Sequence, residues 1–101
     1  MVLIQLLLPS VGHDGAALDA AFALTRTELV EQFGGLTAYL RAPAHGAWVN
    51  PQGHVERDEV VMVEVVTKDF DRAWWRRYVT TLEARFSQTE IHVRALAIEV
   101  P

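Results

Sequence analysis

The stretch from Phe33 to Val66, FGGLTAYLRAPAHGAWVNPQGHVERDEVVMVEVV, constrains the fold of this 101-residue chain more than any other. It reads as one long hairpin: a helix exit, an outgoing strand, a long loop and a return strand. Gly34-Gly35 ends the helix because glycine enters the left-handed region without steric cost. Leu36 to Ala42 then alternates, with Leu36, Ala38 and Leu40 on one face and Thr37, Tyr39 and Arg41 on the other. Val60 to Val66 is valine-rich and carries one carboxylate, Glu64. The segment between them, about residues 43–59, reads as a loop in which Pro43, Gly46, Asn50-Pro51 and Gly53 set turns. A loop of that length is where activity concentrates if a chain has any.

The flanking elements complete the plan. Residues 2–8 form an apolar run broken only by Gln5 and ended by Pro9, the pattern of a central strand buried on both faces. From about Ala16 to Phe33 the recurrence of Leu18, Phe22, Leu29 and Phe33 makes one helical stripe, with Asp14 placed to cap it. Asp71 reads as the N-cap of a second helix, with Phe70 and Trp75 forming a hydrophobic staple around it. Trp75, Val79, Leu82 and Phe86 continue its buried stripe, which leaves Trp74 on a flank, in solvent or at an interface. Glu90 to Val100 reads as the last strand.

Without repeats, low-complexity segments or a linker, residues 1–101 form a single domain. The order strand, helix, strand, strand, helix, strand predicts an α+β, ferredoxin-like βαββαβ fold. Right-handed crossovers arrange its four-stranded antiparallel sheet in the order 4-1-3-2, with two helices on one face. The other face is half apolar, and a second copy of the chain is its expected cover, which makes the protein a homodimer.

Composition removes whole classes of function. Nine Lys and Arg stand against thirteen Asp and Glu, a formal charge of -4, whereas nucleic-acid binding needs a basic face. Arg72, Arg76 and Arg77 read as a solvated helix face. There is no cysteine, so disulfides, thiolate metal sites and cysteine nucleophiles are excluded. MVLIQLLLP is too short to span a membrane and lacks the basic start and cleavage site of a signal peptide. A cytoplasmic location with no membrane contact is the default expectation. The chain contains no G-x-S-x-G, P-loop or dinucleotide fingerprint, and no cofactor is expected.

The chemistry-bearing residues gather on the uncovered sheet face. Period-two counting lets Gln5, Glu64 and His92 or Arg94 join Tyr39 and Arg41 there. A carboxylate inside a valine strand is costly unless paired or hydrogen-bonded. One reading is therefore a structural ion pair of Glu64 with Arg94 or Arg41. The other is a ligand pocket in which Glu64 is a general base and Tyr39 or Arg94 orients an oxyanion. The loop residues His45, Trp48, His54, Glu56, Asp58 and Glu59 match no standard metal-ligand spacing, so no metal site is expected.

The motifs F-G-G-L-T at 33–37, G-x-W at 46–48, a glycine-to-glutamate spacing from Gly53 to Glu59, R-F-x-Q at 85–88 and I-x-V-R at 91–94 cover about half of the chain. In these the chain resembles a family of small bacterial domains of unknown function. It departs from many of them in having no evident export signal. The resemblance implies the same ferredoxin-like plan and carries over no catalytic residue. Two functions are open: a dimeric ligand-binding or interaction module, or a small cofactor-independent enzyme. The second is similar to the dimeric α/β-barrel families, monooxygenases and isomerases among them, which act on apolar or aromatic substrates. For it the expected set is Glu64 as base, Tyr39, Arg94 and His92 orienting a small molecule, with Gln5 and Arg41 alongside and Trp48 closing the mouth.

Overall fold

Alternation along two long strands organises the molecule. The computed structural model describes residues 1–12, 17–40, 44–49 and 51–101, and of residues 44–46, 48 and 56–58 it describes the backbone. The elements are β1 (Val2–Pro9), α1 (Asp19–Phe33), β2 (Thr37–Ala38), β3 (Ala44–Val49), β4 (Val55–Thr67), α2 (Arg72–Arg85) and β5 (His92–Ala97). The fold is α+β: one antiparallel sheet and two helices.

In β1, Ile4, Leu6 and Leu8 are fully buried, while Leu3, Gln5 and Leu7 between them are half-buried. The strand is thus covered on one face only, and the apolar run expected to be buried on both sides has one open side. Val61, Val63 and Val65 of β4 join the same inner layer. Leu29 from α1 and Trp75, Tyr78, Leu82 and Phe86 from α2 close over it as a single core, so both helices lie on that face.

The sheet departs from the expected four strands in the order 4-1-3-2. It has five, in the order β2-β4-β1-β5, with β3 also paired to β4. The outgoing strand expected over Leu36–Ala42 is reduced to Thr37–Ala38, extended by one further bond from the Tyr39 N–H to the Met62 carbonyl at 2.9 Å. The expected 43–59 loop is instead a β-hairpin: β3 pairs with β4 from Ala44↔Val60 to Val49↔Val55. This ribbon extends past the end of β1, whose last partner is the Pro9↔Val60 pair. Val49 and Val55 are exposed at its tip. Backbone pairing there needs no apolar alternation, and so left none to read.

Both helix ends follow local rules. Gly34 closes α1 at φ 84, its N–H bonded to the Val30 carbonyl at 2.8 Å. The expected Asp14 cap lies outside the described residues, and α1 starts at Asp19 behind Leu18, with no side-chain cap. Asp71 does cap α2, accepting the Trp74 N–H at 3.1 Å. Trp74 is no free flank: it stacks on Tyr78 at 4.8 Å and meets Phe33 edge-on at 5.3 Å, tying the end of α1 to α2.

A polar clamp lies between the helices. Arg85 grips Glu28 with both terminal nitrogens and donates to the Thr25 hydroxyl at 3.0 Å. The Tyr78 hydroxyl donates to the same carboxylate at 2.9 Å. The Arg85 hydrogen bond, helped by that from Tyr78, holds the Glu28 carboxyl below its usual 4.5 against the opposing effect of burial. Burial and the neighbouring carboxylate push Tyr78 up to about 12 from 10.0.

Arg85→Ala is expected to cost about 1–3 kcal/mol, since Thr25, Glu28 and Tyr78 lose a partner together; urea unfolding measures it. The same shifts set two limits in pH. Glu28 is depressed, so its contribution is present above pH 4.5 and lost as pH falls through the lower folded value. Tyr78 is raised, so its contribution is present below pH 10.0 and lost as pH rises to about 12. Unfolding free energy measured against pH should fall at both ends, and Tyr78→Phe should flatten the alkaline loss.

Candidate functional site

On the face away from the helices, the strand registers align one polar row. Gln5 of β1 is the partner of Glu64 on β4 and of Arg94 on β5, and Glu64 is in turn the partner of Thr37 on β2. Apolar rows flank it. Leu3 stands between Val66 and Leu96 on one side, and Leu7 between Met62 and His92 on the other.

The row is a continuous hydrogen-bonded chain. The Arg94 Nε donates to the Gln5 Oε1 at 2.6 Å, and the Gln5 Nε2 donates to the Glu64 Oε2 at 2.7 Å. Tyr39, two residues beyond Thr37, donates its hydroxyl to the Glu64 Oε1 at 2.7 Å. Gln5 is the hinge of this arrangement, because an amide both accepts and donates and can carry the influence of a cation to a carboxylate.

Electrostatics follow from those bonds. Gln5 first, then Tyr39, hold the Glu64 carboxyl below its ordinary 4.5, outweighing the burial that would raise it. The same carboxylate raises the Tyr39 phenol above 10.0. Glu64 is therefore ionised and already served by a donor on each oxygen. Among the described residues no arginine pairs with it directly, so the simple ion pair with Arg94 is replaced by a relay through Gln5.

Beside Glu64 a shallow hollow of about 330 Å³ opens between the turn at residues 33–37 and the sheet face at Leu3, Glu64 and Val66. Gly34 and Gly35 form part of its lining. The turn was legible only as a helix stop; that it also walls a hollow depends on β2 folding back onto β4.

Four of the seven expected residues, Gln5, Tyr39, Glu64 and Arg94, thus meet in one network. His92 is exposed on the same face, one row away beside Leu7. Arg41 lies outside the described residues. Trp48 has its backbone in β3 opposite Glu56, and its side chain is likewise outside the described set, as are those of His45, Glu56 and Asp58. Among the described residues no three His, Asp or Glu side chains converge as a metal would require. Among them, too, no helix is long and apolar enough to cross a membrane.

No protein-family model matches this chain, and no curated protein matches it in sequence.

Proposed function

We propose that the protein is a cytoplasmic, dimeric binding module of ferredoxin-like plan, in which two copies meet through their uncovered sheet faces. The observation that carries this reading is the Arg94–Gln5–Glu64–Tyr39 row set between apolar rows on that face. If β2 and β3 are counted as two halves of one interrupted strand, the sheet runs 2-3-1-4. That is the expected 4-1-3-2 counted from the opposite edge. Kinship with the small domains that share F-G-G-L-T and G-x-W is part of the same reading.

A second copy suits the face because the row is self-complementary. A two-fold axis parallel to β1 leaves β1 over β1 and carries β5 of one copy over β4 of the other. Adjacent strands are about 4.8 Å apart, so Arg94 then lies over the partner's carboxylate row while Gln5 faces Gln5. Leu3, Leu7, Met62 and Leu96 supply apolar area on either side. The hollow beside Glu64 gives such a dimer room for a small ligand at its margin.

The enzymatic alternative needs Glu64 as a base, and its surroundings run the other way. A carboxylate with a donor on each oxygen and a lowered pKa is a weak proton acceptor. Glu64→Gln is accordingly expected to leave the domain folded, at a cost of about 1 kcal/mol in urea unfolding. Native mass spectrometry at neutral pH tests the module directly. A dimer is expected, and a retained adduct would give the ligand's mass. A monomer at micromolar concentration would overturn the reading.

A further inference from the structure

A second surface lies on the opposite side of the sheet, at the free edge. Strand β5 pairs only with β1 among the described strands, so its outer edge presents unpaired backbone groups. Beside it, α2 leaves a groove of about 250 Å³ lined by Phe70, Arg72, Trp75, Arg76, Val79 and Val93. Ala95 and Ala97, which follow Val93 on the same face of β5, are exposed, so the helix does not cover the far part of the strand.

The groove carries a charge opposite to that of the chain as a whole. Arg72 and Arg76 are both exposed, and among the described residues neither makes an ion pair. Arg72 is held over the Phe70 ring at 5.5 Å, which fixes the guanidinium at the groove rim. The N-cap carboxylate next to Arg72, that of Asp71, already accepts the Trp74 N–H. Two guanidiniums at an open groove, on a chain of formal charge -4, favour an anionic occupant.

We propose that β5 and α2 form a docking site for an extended acidic peptide, which adds to the sheet as a strand beside β5 and sets alternate carboxylates on Arg72 and Arg76. The spacing fits. Residues four apart on a helix are about 6 Å apart along its axis, and residues two apart on a strand are about 6.7 Å apart. An acidic-x-acidic segment therefore presents its carboxylates at the period of the two arginines. Strand pairing supplies affinity independent of sequence, while the arginines and the apolar floor of Phe70, Trp75 and Val79 supply selectivity. This site is on the helix side of the sheet and does not depend on the open face or on dimer formation.

The test is fluorescence anisotropy with a labelled peptide of about eight residues, a typical strand length, carrying glutamate at alternate positions. Binding is expected, with a loss of roughly tenfold in Arg72→Ala/Arg76→Ala, in keeping with two exposed ion pairs. Both arginines are exposed, so unchanged urea unfolding would show that the variant is folded. Two control peptides separate the components of the site. One replaces glutamate by lysine and should not bind. The other has its alternate amides N-methylated, which keeps the charge and removes strand pairing, and it should bind at least tenfold more weakly. Equal binding of either control, no binding of the acidic peptide, or no loss in the double arginine variant would overturn the proposal.

Discussion

Phe86→Ala is expected to remove about 3–5 kcal/mol of folding free energy. Phe86 is fully buried in the core formed by β1, β4 and both helices. Its backbone N–H closes α2 by donating to the Leu82 carbonyl at 2.9 Å, a bond that alanine would keep, so the loss falls on the ring's packing. Ser87, the next residue, takes a left-handed φ of 53 and turns the chain toward Ile91 and β5. The ring itself belongs to the packed core between the sheet and the helices. Truncation leaves a cavity that neighbours on two layers cannot fill, since strands and helices are tied to each other elsewhere. A domain of this size has a total stability of about 5–15 kcal/mol, so about a fifth or more would disappear. Urea denaturation should show a lower midpoint with little change in slope, and a loss under about 1 kcal/mol would mean that the core collapses into the space.

Leu7→Arg is expected to turn the proposed dimer into a monomer. Leu7 is half-buried on the open face between Met62 and His92, so an isolated copy can leave an arginine there in water. A second copy laid over the face would bury that charge twice, once from each side. Leaving a buried charge without a partner costs about 3–5 kcal/mol, enough to raise a dissociation constant by two orders of magnitude or more. Sedimentation at micromolar concentration should show a monomer with an unfolding midpoint near that of the parent. Arg94→Glu probes the same face by charge, placing like charges over one another and breaking the relay to Gln5. If Leu7→Arg leaves the dimer intact, the two copies meet somewhere else, with the protruding β3–β4 ribbon the next surface to examine.

What could be read in advance follows from which interactions leave a periodic trace. The start of the second helix is legible to the residue because its determinants are local: Asp71 caps, Phe70 precedes it, and Trp75, Leu82 and Phe86 recur at helical spacing. Gly34 ended the first helix for an equally local reason. The β3–β4 ribbon was not legible. His45, Gly46, Glu56, Arg57 and Asp58 lie on the paired backbones of β3 and β4, and a polar stretch without apolar alternation looks like a loop. Turn residues such as Asn50, Pro51 and Gly53 mark a hairpin as well as they mark a loop.

The candidate site divides along the same line. Period two alone lets Gln5, Glu64 and either His92 or Arg94 share a face with Tyr39, because side chains alternate along any strand. Their alignment in a row, with Gln5 between Arg94 and Glu64, required the pairing of Gln5 with both neighbours at once. Pairing register is a long-range property: 59 residues separate Gln5 from Glu64, and 89 separate it from Arg94. The Glu28–Tyr78–Arg85 clamp was invisible for the same reason, since it joins two helices by side chains that belong to no apolar stripe.

The sequence by itself determined an α+β chain with a strongly capped second helix, an apolar first strand interrupted at Gln5 and a carboxylate set into a valine strand. These depend on spacing and on the conformational preferences of single residues, which act within a turn or two of chain. Only the tertiary structure decided that Glu64 is served by Gln5 and Tyr39, and that its pKa is lowered rather than raised. A carboxylate's chemistry is set by the donors within about 3 Å of it and by the water it has lost, and both come from distant parts of the chain brought together by the sheet.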